Sequence, residues 1–463
     1  MCGVIGVYSN KEEVARVINL GLYALQHRGP QAAGIATSDS EKVCSHLGLG
    51  LVMQVFNDKI LSSLKGNIGL GHVRYATSGD VTLNECQPMI GKFKGEQVVA
   101  VLNGNLVNWR KEKEKLSSGG YKFNSTVDTE FILALIANSK KSDFKLALFD
   151  VLQKLEGAFS LILLYKDKIY ASRDSLGFRP LTLGLSEDAH IVCSETCALD
   201  VLNARRVFDV EAGSLLVIGE DGIEETIPWK ASEKKRRCIY EWVYFAREDS
   251  YIEGINVSLA RDAMGKQLFL EEENKVNADV IIPVLDSGLH AALGYHEVSG
   301  NPIKAGIKRD YFIGRTFLQK EQELRERLQR IKSNVIRAWV KKKSVILVDD
   351  SIVRGTVMRA IVSMLREKGA REVHVRIPSP IIINPCFFGI DTPSKGELIG
   401  GRLGGNAEEI KRYIQANSLV YLKGPESLKD ALMGIKGKSS CLEKNDFCDA
   451  CFSGNYPVSI EDT

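Results

Sequence analysis

Three features are missing from the 463-residue sequence, and each absence excludes a class of protein. No run of about 18 apolar residues occurs, so we expect no membrane-spanning segment. The formal net charge is only +3, which argues against a nucleic-acid-binding chain because such chains carry a strong basic bias. The start, Met1 to Val7, lacks the basic and apolar regions of a signal peptide, so we expect a cytoplasmic location.

Cysteine is present but scattered, with ten residues spread over the chain. A small secreted domain would hold its cysteines in a dense framework, so here we expect core packing, catalysis or metal binding instead. Cys448-Asp449-Ala450-Cys451 alone is compatible with a zinc half-site, a redox pair or no function. We expect four others to be buried small apolar residues, namely Cys44, Cys86, Cys193 and Cys197.

The length predicts two large domains. Residues 2–230 contain many short β-rich runs, such as Phe159–Tyr165, interleaved with helical stretches near residues 11–27 and 128–139. This pattern indicates an α+β domain of stacked antiparallel sheets between helices. A charged stretch, Lys230–Arg237, marks the expected boundary.

Residues 231–463 show alternating strands and helices. The apolar runs Val280–Leu285, Val345–Val348 and Glu372–Ile377 predict buried strands, and Val357–Lys368 predicts a helix between the last two. Buried strands separated by helices are typical of a parallel sheet in an α/β domain.

Cys2 follows the initiator Met1, whose removal would leave the Cys2 thiol beside its own α-amine. That amine titrates near pH 8 and can act as the base for the thiol. Cys2-Gly3-Val4-Ile5-Gly6 resembles the first block of the class II, N-terminal nucleophile, glutamine amidotransferases. The further blocks of that family match in order: Leu25-Gln26-His27-Arg28-Gly29, Gly71-His72-Val73-Arg74-Tyr75, Asn103-Gly104-Asn105 and Asp128-Thr129-Glu130.

This resemblance implies a role for each matched residue. Cys2 would be the nucleophile, and Asn103 with the Gly104 amide would form the oxyanion hole that glutamine hydrolysis requires. The α-carboxylate of glutamine would bind Arg74 and its α-ammonium Asp128. Arg28 would order a loop that closes over the glutamine.

A second motif follows an apolar strand and spans residues 345–356. Asp349, Asp350 and Ser351 come at the strand's end, where open α/β sheets build anion sites. Backbone N–H groups of Arg354, Gly355 and Thr356 can hold a phosphate, and the two carboxylates can face ribose hydroxyls. The block resembles the 5-phosphoribosyl-1-pyrophosphate (PRPP) signature of the type I phosphoribosyltransferases; a generic Asp-Asp turn is the alternative.

By the same resemblance, Asp286, Ser287 and Gly288 occupy the pyrophosphate loop. Ser287, Asp349 and Asp350 would lie in or near the ligand shell of a Mg²⁺ ion, because hard cations prefer oxygen ligands. Gly314–Phe317 would open a flexible loop over PRPP, and the helical segment Glu321–Lys332 follows it. Lys332 either reaches the pyrophosphate or is a solvated charge on a helix face.

The whole chain is similar to the amidophosphoribosyltransferase family, in its iron–sulfur-containing branch. The resemblance implies an N-terminal nucleophile hydrolase domain at residues 2–230 and a type I phosphoribosyltransferase domain at residues 231–463. It implies the glutamine-dependent conversion of PRPP to 5-phosphoribosylamine, the first step of purine biosynthesis. Homo-oligomers and inhibition by purine nucleotides are also implied.

The resemblance further implies a [4Fe–4S] cluster on Cys238, Cys386, Cys448 and Cys451. Zinc is the alternative for four thiolates, and Cys441 is a lesser alternative ligand. Several positions that the resemblance places around PRPP, including Leu285 and Val357, carry a residue different from the one usual in the family. These departures leave open a divergent paralogue that hydrolyses glutamine but has altered or lost PRPP chemistry.

Overall fold

The computed structural model describes the chain except residues 10–12, 76–81, 231, 233, 310–332, 393, 436–441 and 461–463. The predicted loop at Gly314–Phe317, the segment Glu321–Lys332 and Cys441 therefore lie outside the described residues. In the part of the chain that the structure describes, no helix has the length and apolar character needed to cross a membrane.

The amino-terminal half consists of two antiparallel sheets. The seven-stranded sheet has the order β11-β9-β10-β1-β4-β2-β3, and the six-stranded sheet has the order β13-β12-β8-β7-β6-β5. Their strands are β1 (Gly3–Ser9), β2 (Ala32–Ser38), β3 (Val43–Leu49), β4 (Ile68–Arg74), β5 (Met89–Phe93), β6 (Glu96–Leu106), β7 (Gly157–Tyr165), β8 (Lys168–Arg173), β9 (Thr182–Leu185), β10 (Ala189–Cys193), β11 (Arg205–Asp209), β12 (Ser214–Gly219) and β13 (Gly222–Pro228).

The two sheets pack face to face, with helices on their outer faces. Side chains alternate along a strand, so β1 sends Val4 and Tyr8 to the apolar layer between the sheets and Ile5 and Val7 to the helical side. Both faces of β1 are buried, which explains its unbroken apolar sequence. The helices of this half are Val14–Ala24, Val52–Val55, Asp58–Ser63, Trp109–Ser118, Asp128–Ala137, Phe144–Leu152 and Thr196–Val201, with single 3₁₀ turns at Gln26–Arg28 and Leu83–Glu85.

The carboxy-terminal half is built on a four-stranded parallel sheet of order β17-β20-β21-β22. Its strands and the short strands around it are β14 (Arg237–Cys238), β15 (Tyr251–Ile252), β16 (Ile255–Asn256), β17 (Val280–Pro283), β18 (Ile307–Arg309), β19 (Ser333–Val335), β20 (Ser344–Val348), β21 (Glu372–Ile377), β22 (Ser418–Tyr421) and β23 (Phe447–Cys448). Apolar side chains on both faces of the sheet enter two separate cores, as expected of a parallel sheet.

Helices cover both faces of that sheet. They are Val257–Glu271, Leu289–Ser299, Arg337–Val340, Thr356–Glu367, Ile399–Arg402, Ala407–Ile414, Pro425–Met433 and Ala450–Ser453, with a π-helical turn at Glu241–Phe245 and a 3₁₀ turn at Lys444–Asp446. The predicted fold class is confirmed in both halves. The predicted strand at 280–285 ends at Pro283, because the chain turns there into the segment that carries Asp286.

The two halves share contacts on both sides of the predicted boundary at 230/231, which itself stays a prediction. The last strand of the antiparallel sheets, β13, ends at Pro228. Beyond it, β14 pairs in parallel with β23, so the end of the chain is fastened beside the start of the second half. Met1 packs in the core of the carboxy-terminal half, together with Trp242 and Ile390.

The prediction for four of the cysteines is correct for three of them. Cys86, Cys193 and Cys197 are buried, whereas Cys44 is only half-buried. Cys44 lies on β3, which is the edge strand of the seven-stranded sheet, and most of that strand is only partly covered. The assignment of Cys44 to the buried core was therefore wrong.

Candidate functional site

Cys2 lies immediately before β1, where the two antiparallel sheets bring β1 and β6 together. Its backbone N–H donates to Asn103 Oδ1 on β6 over 3.1 Å. Its carbonyl oxygen accepts a hydrogen bond from Arg28 Nε at 3.0 Å. The backbone of Cys2 is therefore held on both sides, and the residue as a whole is half-buried.

Asn103 supplies a hydrogen-bond donor that has no partner among the described residues. Gly104 supplies a backbone conformation that only glycine can adopt at this position. Asn103 is fully buried, and its Nδ2 has no hydrogen-bond partner among the described residues. A buried donor without a partner is costly, so its retention calls for an explanation. Gly104 has a φ of +155°, and a Cβ there would lie 1.9 Å from the Ala158 carbonyl oxygen. Beside a thiol, this arrangement can receive a developing oxyanion.

The thiol of Cys2 is more acidic than an ordinary cysteine. Burial alone would raise its pKa, but the electrostatic influence of the nearby His72 outweighs burial and lowers the pKa to about 6. Sequence reasoning gave His72 no role, although it lies two residues before Arg74 on β4 and therefore on the same face of that strand. That spacing within the matched block was the signal available in the sequence.

Arg74 and Asp128 can each bind one charged group of a ligand. Arg74 Nη2 contacts Glu85 Oε2 at 3.2 Å, and its buried Nε has no hydrogen-bond partner among the described residues. Asp128 begins the helix Asp128–Ala137 and accepts a hydrogen bond from the Leu106 N–H at 2.7 Å. Burial raises the pKa of Asp128 to about 7, so the carboxylate would be stabilised by a cation beside it.

Arg28 lies behind Cys2. It is fully buried, and besides the Cys2 carbonyl it contacts the carboxylates of Glu195 and Glu241. Glu195 also accepts a hydrogen bond from His27 Nε2 at 2.8 Å. The structure thus places Arg28 in a buried ion-pair network under the nucleophile, and its predicted role in glutamine binding stays a prediction.

A second group of side chains forms at the carboxyl ends of β17 and β20. Ser287 Oγ donates to Asp349 Oδ1 at 3.3 Å, which joins the loops after the two strands. Gly288 permits this approach, since a Cβ there would lie 2.4 Å from the Val348 carbonyl oxygen. In the same loop Asp286 forms an ion pair with Arg309 at 2.6 Å.

Asp349 and Asp350 are both buried. Burial and then the neighbouring charge of Asp350 raise the pKa of Asp349, and burial raises the pKa of Asp350. Two adjacent carboxylates that resist ionisation fit a site which receives a cation and hydroxyl groups. Ser351 donates a hydrogen bond to Asp350, so the predicted phosphate-binding loop contacts the acidic pair directly.

The loop then turns at Gly355 into the helix Thr356–Glu367. Gly355 has a φ of +78°, and a Cβ there would lie 2.6 Å from Ile399 Cδ1, so other residues would be strained. Thr356 opens the helix, while the half-exposed Arg354 contacts Glu397 at 3.3 Å. A helix N-terminus after a glycine turn suits a phosphate. Lys332 lies outside the described residues.

Four cysteines from three separate segments line one cavity: Cys238, Cys386, Cys448 and Cys451. Among the described residues, no three His, Cys, Asp or Glu side chains stand in an arrangement that could hold a metal ion as they are. The donor set nevertheless fits a thiolate-bound group, because the cavity is otherwise lined mainly by apolar side chains and one cation, Arg179. The cluster and its zinc alternative both stay predictions.

Comparisons with known proteins agree with this arrangement. Residues 72–201 match the family model described as a glutamine amidotransferase domain. The chain is 42% identical over 463 residues to an amidophosphoribosyltransferase of Archaeoglobus fulgidus, covering 99% of this chain and 98% of the relative. It is 41% identical to the Bacillus subtilis amidophosphoribosyltransferase, covering 99% and 94%.

The solved structures extend the agreement to the fold. A glutamine PRPP amidotransferase from B. subtilis, complexed with ADP and GMP, superposes with a TM-score of 0.91 at 40% identity, covering 99% of this chain and 98% of that one. Because relatives of this identity match nearly end to end, the chain belongs to the amidophosphoribosyltransferase family.

Proposed function

We propose that this chain transfers ammonia from glutamine to PRPP, giving 5-phosphoribosylamine, glutamate and pyrophosphate in purine biosynthesis. The observation that carries this is the presence, in one chain, of Cys2 beside the Asn103 Nδ2 donor, which has no partner among the described residues, and of the Asp349–Asp350 pair at the end of a parallel sheet. The test is PRPP-dependent release of glutamate together with formation of phosphoribosylamine. Glutamate release that leaves PRPP intact would favour the divergent paralogue.

In the glutaminase half, the Cys2 thiolate attacks the side-chain amide carbon of glutamine. The oxyanion is held by Asn103 Nδ2 and the Gly104 N–H, and the α-amino group of Cys2 passes a proton to the amide nitrogen, so that ammonia leaves as the thioester forms. Water then hydrolyses the thioester and releases glutamate. Removal of Met1 frees the Cys2 amine at the position from which its N–H now donates to Asn103 Oδ1. Arg74 and Asp128 hold the two charges of the amino acid.

In the transferase half, the Asp349–Asp350 pair faces the ribose of PRPP, and the loop from Ser351 to Thr356 holds its 5-phosphate. Asp286, Ser287 and Gly288 contact the pyrophosphate, and the family resemblance assigns Lys332 to the same group. Mg²⁺ bound by Ser287, Asp349 and Asp350 would neutralise the leaving pyrophosphate. Ammonia then bonds to the anomeric carbon as the bond to pyrophosphate breaks.

Asp128 gives a pH-dependent prediction. Its raised pKa means that the carboxylate is neutral below about pH 7 in the empty site, so KM for glutamine should rise as pH falls through 7. Asp128→Asn should raise KM by about 10- to 100-fold, since an ion-assisted hydrogen bond is lost. Steady-state kinetics between pH 5.5 and 8.5 measure both effects.

The same substitution should stabilise the fold. An acid whose folded pKa is raised destabilises the native state increasingly between its unfolded pKa, about 4, and its folded pKa. Asp128→Asn should therefore gain more in melting temperature over wild type at pH 8 than at pH 5. Asp150→Asn, on the exposed face of Phe144–Leu152, is the control and should alter neither quantity. An unchanged KM in Asp128→Asn would remove Asp128 from the glutamine site.

The four-cysteine cavity gives a further prediction. Anaerobically purified protein should contain iron and acid-labile sulfide and absorb broadly in the visible region. Cys386→Ser should lose the iron and lower the melting temperature, whereas the remote Cys44→Ser should do neither. Colourless protein with stoichiometric zinc would contradict the cluster and support the zinc alternative.

We also infer regulation by purine nucleotides, because the B. subtilis relative was solved with ADP and GMP. Homo-oligomeric assembly and a cytoplasmic location remain predictions from the family resemblance and from the sequence.

A further inference from the structure

One acidic side chain, that of Glu85, lies against Arg74, the residue proposed to bind the α-carboxylate of glutamine. Glu85 ends the 3₁₀ turn Leu83–Glu85, and Arg74 ends β4. Glu85 Oε2 accepts a hydrogen bond from Arg74 Nη2 at 3.2 Å. Only 9% of the Arg74 side chain and 14% of the Glu85 side chain are exposed, so water and salt screen this ion pair little.

The ion pair occupies part of the Arg74 edge that a substrate carboxylate would use. A guanidinium binds a carboxylate through two parallel N–H donors, and Nε and Nη2 form one such pair. Glu85 holds Nη2, whereas Nε is buried and has no hydrogen-bond partner among the described residues. A carboxylate that took both donors would lie against the carboxylate of Glu85, and two like charges at that distance repel each other. Glu85 must therefore move before glutamine can use this edge.

The second contact of Glu85 permits such a movement. Its Oε1 accepts a hydrogen bond from the Thr126 hydroxyl at 2.8 Å. Thr126 is exposed and lies two residues before Asp128, which begins the helix Asp128–Ala137. Water can replace a hydrogen bond at an exposed position at little cost, so the Glu85 carboxylate can turn from Arg74 toward solvent.

We propose that Glu85 is an internal competitor in the glutamine site: it occupies Arg74 while the site is empty and is displaced by the α-carboxylate of an amino-acid ligand. In the empty site it prevents a buried guanidinium from remaining unpaired, which would be costly. Because separating the ion pair consumes part of the binding energy, Glu85 raises KM for glutamine. A ligand without an α-carboxylate leaves the ion pair intact, so the charge of Glu85 does not affect its affinity. The inference rests on the proposed function.

The test is Glu85→Gln, which keeps the length of the side chain and an acceptor oxygen for Arg74 but removes the charge. Glutamine hydrolysis by the whole chain is measured at saturating PRPP with two competitive inhibitors: glutamate, and 4-aminobutanamide, which is glutamine without its α-carboxylate. We expect KM for glutamine and the inhibition constant of glutamate to fall by at least about threefold, with kcat within about twofold of wild type. The inhibition constant of 4-aminobutanamide should stay within about 1.5-fold of wild type.

Thermal stability supplies a second readout that does not depend on turnover. The ligand-free variant should melt at a lower temperature than wild type, because Arg74 loses its charged partner. Glutamate at one fixed concentration should raise the melting temperature more in Glu85→Gln than in wild type, because the variant binds glutamate more tightly.

Glu112→Gln is the matched control. It removes the same charge from an exposed ion pair with Lys115 on the helix Trp109–Ser118. We expect this variant to keep the wild-type KM, both inhibition constants and the response of the melting temperature to glutamate.

The outcomes separate the inference from the proposed function. An unchanged KM in Glu85→Gln overturns the competition and leaves the function standing. A higher KM would mean that the charge of Glu85 assists binding, and equal falls in both inhibition constants would mean that its effect does not act on the α-carboxylate, so either result also overturns it. A wild-type chain that releases no glutamate from glutamine overturns the proposed function itself.

Discussion

Replacing Cys2 by alanine is expected to reduce glutamine-dependent synthesis of phosphoribosylamine by on the order of 10⁴-fold or more. Synthesis from ammonia should stay within about twofold of wild type, because the ammonia reaction needs only the acidic pair and loop of the other half. The physical reason is that the variant lacks the thiol that would form the thioester beside Asn103 Nδ2, a donor without a partner among the described residues. Parallel assays with glutamine and with ammonium chloride measure the two rates.

Cys44→Ala is the matched control for this experiment. Cys44 is a half-buried thiol on the edge strand β3, so its loss should leave both nitrogen sources usable. Intact mass spectrometry of the active wild-type protein should show a chain without Met1. Glutamine-dependent synthesis that survives in Cys2→Ala would disprove the assignment of the nucleophile.

Asp350→Asn is expected to have the complementary effect. Synthesis should fall by at least about 10²-fold with either nitrogen source, because one of the two buried carboxylates that we propose to face PRPP is lost. Glutamine hydrolysis in the absence of PRPP takes place in the other half and reports whether the variant is folded.

The variant should also melt at a higher temperature than wild type when divalent cations are chelated at pH 8. The raised pKa of Asp350 means that its ionised form destabilises the native state there. Glu297→Gln, an exposed carboxylate on Leu289–Ser299, is the control and should change neither rate. Normal synthesis by Asp350→Asn would exclude a role for this carboxylate at PRPP.

The local pattern of apolar, polar and turn residues predicted the strands and the helices well. The strand Glu372–Ile377 was predicted to the residue, because Val373, Val375 and Ile377 alternate with polar residues shortly after the turn at Gly369. The predicted helix at 357–368 is Thr356–Glu367, since Gly355 at positive φ sets its start. The helix predicted at 11–27 is shorter, Val14–Ala24, and a 3₁₀ turn at Gln26–Arg28 follows it.

The contacts between distant residues could not be predicted in the same way. Arg28 and Glu241 are 213 residues apart, and Tyr240 and Ser351 are 111 apart, so no periodicity in the sequence relates them. The pairing of Arg28 with Glu241 depends on how the two halves pack. The pairing of Tyr240 with Ser351 depends on how distant segments pack within the carboxy-terminal half. The influence of His72 on Cys2 also required the structure, because only the register of β1 with β4 brings the two strands together.

The packing of residues 386–389 against the oxyanion hole has a consequence for how the protein is made. Asn105 Nδ2 donates to the Phe387 carbonyl at 2.9 Å, and a Cβ on Gly389 would lie 3.0 Å from the Gly104 carbonyl carbon. A ribosome delivers the amino-terminal half first, and domains generally begin to fold in that order. A nascent or prematurely terminated chain would therefore lack the support beneath its oxyanion hole, and glutamine would be spared until synthesis of the acceptor half is complete.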